Sequence, residues 1–340
     1  MIRTGAGRTA GPAPVPLPID PHMQAAILEA PGRFTVDDRR VPQPGPGEVR
    51  VRTAICGMCT SELDMFEGHN PALTYPRFLG HEVSGVVDAV GEGVVELGEG
   101  DRVALYAEGE GYAEYVVVPA AWAVRIGPSV SFEHALGEPI ACSVNGVRKA
   151  RPEIGDAVAI VGCGFMGLIM LQVFRAAGCG PLIAVDRRES VLDLARRLGA
   201  THTVQPEEAE EVVKGLTDGR GVDIGVEAAG VQGTLDLTGR LIRMEGKLEV
   251  FGFHQGAPRL VDWEWWNWMA FEVVNGHTRS AHVYVEGIRI GMGMLERGQL
   301  DMAPLVTHRY GLADINRGFE TAAAKGEGFV KGVITFNGAA

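Results

Sequence analysis

From residue 24 to about 145, apolar positions come in short runs or alternate with polar ones, and Gly or Pro interrupts them. EVRVRTAI (48–55), VSGVVDAVG (83–91), DRVALYA (101–107) and YAEYVVVP (112–119) are of this kind. Alternation of period two in runs this short predicts strands, and their spacing predicts an irregular β barrel or sandwich. Near residue 155 the pattern changes. AVAIVGCGFMGLIMLQVFRAAG (157–178) reads as an apolar strand, a Gly-rich turn and a helix. PLIAVDRR (181–188) predicts another strand, and ESVLDLARRLGA (189–200) a helix with a Gly stop. VDIGVEAAG (222–230), a helix over 232–243 and KLEVFGF (247–253) continue the alternation. Units of this kind build a parallel sheet covered by helices. Towards the end, GIRIGMGMLERGQL (287–300) is helical and GFVKGVITF (328–336) is mixed.

The expected fold class is therefore α/β, a doubly wound parallel sheet joined to a β-rich domain. The β-rich domain is expected to be discontinuous, 23–145 plus 285–340, with the sheet domain over 146–284 inserted. Residues 1–22 read as a Pro-rich flexible tail, since no apolar period appears there. Met23 opens the first strand-like segment and could itself be an initiator.

Composition narrows the function. The chain has 340 residues, 46% hydrophobic and 22% charged, as in a soluble globular enzyme. With 31 Lys and Arg against 43 Asp and Glu, the net charge of −12 argues against a nucleic-acid partner. It permits a cationic group on a substrate, although solubility explains it as well. No run of 18 apolar residues exists, so no membrane span is expected, and the N-terminus lacks a secretory apolar core. Five Cys do not make a disulfide scaffold. A cytoplasmic protein is expected, in which a special Cys is a metal ligand rather than half of a bridge.

Gly162-Cys163-Gly164-Phe165-Met166-Gly167 is a GxGxxG between an apolar strand and a helix, the context a dinucleotide fingerprint requires. The glycines serve a tight turn, backbone approach to a pyrophosphate and helix–strand contact, and the helix N-terminus favours the anion. Gly162, Gly164, Phe165, Met166 and Gly167 are the expected cofactor contacts of this Rossmann unit. Asp186 ends the next strand, where a carboxylate accepts from the adenosine ribose and repels a 2′-phosphate. That favours NAD over NADP, although Arg187 and Arg188 follow at once and could hold a phosphate.

Two further clusters carry metal-ligand types: Cys56-Gly57-Met58-Cys59-Thr60-Ser61-Glu62 and Gly80-His81-Glu82, with Glu138 in GEPIACSVN a third candidate. Thiolate, imidazole and carboxylate together make a plausible zinc set. No second CxxC exists, so a zinc ribbon is a poor reading. A redox pair would need a thioredoxin-like setting that is missing. Spacing alone leaves an ordinary role for His81 open.

ICGMCTSELDMFEG (55–68), GHEVSGVVDAVGEGV (80–94), GDRV (100–103), YAEYVVVP (112–119), EPIACSVNGVRKARPEIGD (138–156), VGCGFMG (161–167) and AVDRR (184–188) occur in one order across nearly the whole chain. In these blocks the chain resembles the medium-chain zinc-dependent alcohol and polyol dehydrogenases, most of all the sorbitol and threonine dehydrogenase branch. The resemblance implies a GroES-like catalytic domain beside the Rossmann domain. It implies Cys59, His81 and Glu82 as zinc ligands, Glu138 as a fourth ligand or close partner, and Cys56 as a bystander. It implies Ser61 as the hydroxyl touching the substrate alcohol, with Glu82 and Glu138 as further proton stations.

The chain departs from the family pattern in three places. Glu62 replaces the usual Asp behind the zinc-bound His, Asp64 stands where a relaying His is common, and only ALYAEGEG (104–111) occupies the place of a four-Cys structural zinc lobe. One catalytic zinc per chain is expected.

The implied reaction is hydride transfer between NAD(P) and a secondary alcohol, giving the ketone. The expected substrate is a polyol, sugar, amino sugar or aminocyclitol, and relatives imply a homodimer or homotetramer. Trp263, Trp265, Trp266 and Trp268 crowd DWEWWNW, which reads either as a stacking surface for such a substrate or as a buried helix at a subunit contact. Two alternatives remain: a zinc-free quinone or enoyl reductase of the same fold, and a non-catalytic nucleotide-binding relative.

Overall fold

The computed structural model describes residues 21–70 and 72–336. Apart from its last two residues, the expected Pro-rich tail lies outside them. The first lobe runs β1 (His22–Ala30), β2 (Arg33–Arg40), β3 (Glu48–Gly57), α1 (Thr60–Glu67), β4 (Arg77–Phe78), β5 (Glu82–Val90), β6 (Arg102–Leu105), β7 (Tyr115–Pro119) and β8 (Ala123–Arg125). The chain then enters α2 (Gly137–Ala150). The nucleotide lobe follows as β9 (Val158–Val161), α3 (Phe165–Ala176), β10 (Leu182–Val185), α4 (Glu189–Leu198), β11 (His202–Val204), α5 (Ala209–Leu216), β12 (Val222–Glu227), α6 (Gln232–Leu241), β13 (Ile242–Val250), α7 (Trp263–Trp268) and β14 (Glu272–Asn275). Finally α8 (Ala281–Glu296), β15 (Val306–Gly311), α9 (Ile315–Ala324) and β16 (Lys331–Thr335) return the chain to the first lobe.

The nucleotide lobe is a six-stranded sheet in the order β11-β10-β9-β12-β13-β14, parallel throughout. Helices cover both faces of such a sheet, so its inner strands carry no polar alternation. Val158–Val161 and Leu182–Val185 are buried along their whole length for this reason. On α4, Val191, Leu192, Leu194, Ala195 and Leu198 supply one apolar stripe, and the charged residues face outward.

In the first lobe β3 is the hub. It pairs antiparallel with β5, β7 and β16, in the sheet order β15-β16-β3-β5-β6-β8, while β1 joins β2 and β4 in a smaller sheet. Phe34, Phe66, Tyr112 and Phe319 pack ring against ring and fix α1 and α9 to the core.

The expected cuts near 145 and 285 fall inside α2 and α8. These two helices pack on one another; α2 also touches β5, β6 and β13, and α8 touches β6 and β8. They form a neck shared by both lobes, so the change of pattern seen in the sequence is not a break in the chain's packing.

The Trp-rich segment is not a buried helix within the chain. It forms the short helix α7, of which only Trp266 is buried; Trp263 is 67% and Trp268 72% exposed. Trp265 and Trp266 line a cavity of about 860 Å³ beside α5 and α6, away from the metal-ligand types. A six-residue helix on a sheet domain has one inward side, and it can bury only one of four indoles.

Candidate functional site

The turn from β3 into α1 builds one wall of the site. Cys59 is the residue capping α1, and its sulfur faces the free N–H groups of the first turn, the end of a helix that favours negative charge. Ser61 donates to that sulfur from 3.2 Å. Cys56, three residues earlier, points into the core of the lobe and is fully buried. Burial pushes its thiol well up, and it is not one of the clustered ligand atoms described below.

Glu62 reaches back from the same turn to the strand end at Gly80. Its Oε1 accepts from the Gly80 N–H at 2.6 Å and lies 2.9 Å from His81 Nδ1. Its Oε2 accepts from the Tyr112 hydroxyl at 2.5 Å. Burial alone would raise this carboxyl; the His81 ring and the two donors outweigh it and hold it below its ordinary value. The extra methylene relative to Asp thus leaves the contact with the ring intact. With Nδ1 committed to Glu62, Nε2 is the nitrogen left for a ligand.

Cys59, His81 and Glu82 each offer one ligand atom, and the three atoms lie within 4.8 Å of one another. Tetrahedral zinc needs roughly 3.5 Å between such atoms, a small contraction. One oxygen of Glu82, Oε2, is buried without a hydrogen-bond partner, although Lys331 Nζ stands 2.7 Å away. Soft sulfur, imidazole nitrogen and an underused carboxylate oxygen fit a zinc ion. Glu138 is not one of the three. It opens α2, accepts from the Cys142 thiol at 3.2 Å, and is raised by burial against the pull of His81.

Glu138 and His81 line a cavity of about 260 Å³ together with Tyr106, Ala107, Glu108, Arg279 and Tyr284. Tyr106 and Tyr284 stack at 4.7 Å in its wall, and the Tyr284 hydroxyl donates to the Thr278 carbonyl at 3.1 Å. Both signs of charge face this space, so acidity is not its whole character. Arg279 lies in an irregular loop with no flanking pattern, and nothing in the sequence marks it.

Lys331 was also not legible as a site residue. It is 5% exposed; its Nζ donates to Glu82 Oε1 at 2.7 Å and to the Met58 carbonyl at 2.9 Å. Burial would lower its ammonium, but Glu82 and Cys59 more than reverse that. The same Nζ sits 4.5 Å from the centre of the Phe165 ring. The available signal was a lone lysine inside the apolar run GFVKGVITF, since lysine is almost never buried without a partner.

Phe165 belongs to the Gly-rich turn. Gly162 holds φ +99°, and a Cβ on Gly167 would stand 2.2 Å from the Gly162 carbonyl, so neither position takes a side chain. Gly164 caps α3, with Phe165 and Met166 in its first turn. Asp186 accepts from the Cys163 N–H at 3.0 Å and from Arg188, through the backbone N–H at 3.0 Å and Nε at 3.3 Å. Arg188 also donates to the Phe329 carbonyl at 3.4 Å. Arg187 is exposed. The turn that would meet a dinucleotide and the strap bearing Lys331 are therefore in direct contact across the lobes.

Among the described residues, no helix is long and apolar enough to cross a membrane. Residues 45–129 match the family described as alcohol dehydrogenase GroES-like domain, and residues 166–270 the family described as zinc-binding dehydrogenase. L-threonine 3-dehydrogenase of Pyrococcus abyssi is 30% identical over 304 residues, 79% of this chain and 86% of that protein. The structure of an alcohol dehydrogenase (rspB) from Escherichia coli CFT073, complexed with NADH, superposes with a TM-score of 0.84 at 25% identity, covering 93% of this chain and 100% of the other. A zinc-binding dehydrogenase from Sinorhizobium meliloti 1021, bound to NADP, gives 0.81 at 27% identity, with 93% and 99% covered.

Proposed function

The chain belongs to the medium-chain zinc-type alcohol dehydrogenase family, and from that premise we propose that it interconverts a secondary alcohol of a polyol, sugar, amino sugar or aminocyclitol and its ketone, with NAD as the hydride carrier. The carrying observation is the meeting of Cys59, His81 and Glu82 beside a polar cavity that His81 lines, with Lys331 bridging Glu82 and the Phe165 ring of the Gly-rich turn. When bound, zinc would polarise the substrate oxygen and the nicotinamide would exchange the hydride.

The chain's own residues do the rest. Cys59, His81 and Glu82 would hold one ion per chain, with Glu62 fixing the imidazole and Lys331 balancing Glu82. Ser61, 3.2 Å from the Cys59 sulfur, would take the proton of the substrate hydroxyl while its own hydroxyl proton leaves to solvent water. Glu138, whose carboxyl burial raises, can hydrogen-bond one substrate hydroxyl, and Arg279 can donate to another oxygen across the cavity. The pair suits a molecule with several oxygens and does not demand a cation.

For the dinucleotide, Asp186 would accept from the adenosine ribose. Arg188 is already tied to Asp186 and Phe329, which leaves Arg187 alone to attract a 2′-phosphate and supports NAD. The division into a GroES-like lobe, a Rossmann lobe and a shared helical neck is part of this proposal, as are a cytoplasmic home and a homo-oligomer.

The test is absorbance at 340 nm with NAD or NADP over a panel of polyols, sugars and amino sugars, beside metal analysis. About one zinc per chain with NADH formed on one class supports the reading. Reduction of a quinone or enone by a zinc-free protein would overturn it.

A further inference from the structure

A side-chain contact outside the metal-ligand set joins the first lobe to the nucleotide sheet. Asp64 lies on α1, the helix whose first turn carries Cys59, Ser61 and Glu62. Gln255 lies in the segment after β13, on the nucleotide sheet. The amide of Gln255 faces only acceptors there, so its nitrogen is assigned to that side, where it donates to Asp64 Oδ1 at 2.7 Å and Oδ2 at 2.6 Å. We propose that Asp64 and Gln255 form a latch that holds the metal-bearing helix against the nucleotide sheet and slows release of the dinucleotide.

Both ends of the latch are anchored, which a chance surface contact would lack. On one side, Asp64 sits on a helix wedged by Phe66 against Phe34 and Phe319. On the other, Arg259 gathers the loop: Nη2 donates to the Gly230 and Gln255 carbonyls at 3.0 and 2.9 Å, Nη1 to Ala257 at 2.6 Å, and Nε to His254 Nδ1 at 3.1 Å. His254 Nε2 in turn lies 2.8 Å from Glu227, the buried residue ending β12. The loop is thus held to the end of β12 and the turn after it before it presents Gln255. Asp64 also meets His69 at 3.2 Å, so its carboxylate is oriented from both sides. A carboxylate taking two N–H bonds from one amide is a stronger and more directional tie than a neutral pair. Breaking it frees α1 to move relative to the sheet, and with it the reacting geometry.

The cofactor arm of this proposal rests on the nucleotide-binding reading above; the conformational arm does not. The experiment compares the intact protein with Gln255→Ala and Gln255→Glu. Hydrogen exchange is measured without cofactor, NADH release by stopped-flow fluorescence, and zinc content alongside. The latch predicts faster exchange in both residues 62–67 and 253–257, NADH release about three- to tenfold faster, and unchanged zinc. Acceleration confined to 253–257, or release within twofold of the parent, overturns it. If the parent bound no NADH, the nucleotide reading would fall, and joint exchange of the two segments would still support the latch while independent exchange would refute it.

Discussion

The ammonium of Lys331 stands 2.7 Å from both carboxylate oxygens of Glu82, inside the protein and 249 residues further along the chain. Glu82 belongs to the metal-ligand set and Lys331 touches the Phe165 ring of the nucleotide turn, so one pair joins the two halves of the site. Such a pair is costly to break, because the survivor is a buried charge without a counterion. Lys331→Met is expected to destabilise the metal-free protein by about 3–5 kcal/mol. Zinc at Glu82 supplies the missing positive charge, so the metal-loaded variant should lose distinctly less. Thermal melts with and without chelator check this; equal losses in the two states would count against Glu82 as a ligand.

Cys59→Ser exchanges the soft ligand for a hydroxyl that stays protonated. Zinc and turnover should disappear together, from about one ion per chain to none by mass spectrometry. Glu138→Gln is the contrasting case, because Glu138 lies outside the three-atom cluster. It should keep its zinc and lose about ten- to a hundredfold in kcat/KM through the substrate contact. Loss of the ion in Glu138→Gln would return that residue to the ligand set.

Asp186→Ser removes the charge that opposes a 2′-phosphate and also frees Arg188. The ratio of kcat/KM for NAD over NADP should fall by at least about tenfold, the scale of one surface charge repulsion. Steady-state kinetics with both dinucleotides at fixed alcohol measure it. An unchanged ratio would show that Asp186 does not face the ribose.

Much of this was legible because it is written in local pattern. Apolar runs without alternation gave the parallel strands, and strand, GxGxxG, helix and Asp186 fell in one register. Cys59, His81 and Glu82 are separated by only one helix and one short strand; their residue types made them candidates, and the family resemblance joined them in one set. What stayed hidden depends on long-range packing. Lys331 joins the site only because β16 pairs with β3, a register that no window of sequence encodes. β11 has three residues, too few to show a period, and so the unit with α5 went unread. The exposure of Trp263 and Trp268 follows from which side of α7 meets the sheet, which the indoles themselves do not specify.

Glu249 gives a pH dependence whose sign can be worked out. It is fully buried on β13, and neither of its oxygens has a hydrogen-bond partner. Burial pushes its carboxyl up to about 8, with Lys149 only partly opposing. In the unfolded chain the group titrates near the ordinary value of about 4.3. Between those two values the folded protein holds a proton that the unfolded chain has released, so stability falls as pH rises through the window and levels off above about 8. Glu249→Gln keeps the shape and removes the titration. It should be more stable than the parent by a few kcal/mol at pH 9, with the difference shrinking towards pH 5. Urea unfolding at several pH values measures both curves. Parallel curves across the window would mean that Glu249 finds a proton donor or a water that lets it ionise in place.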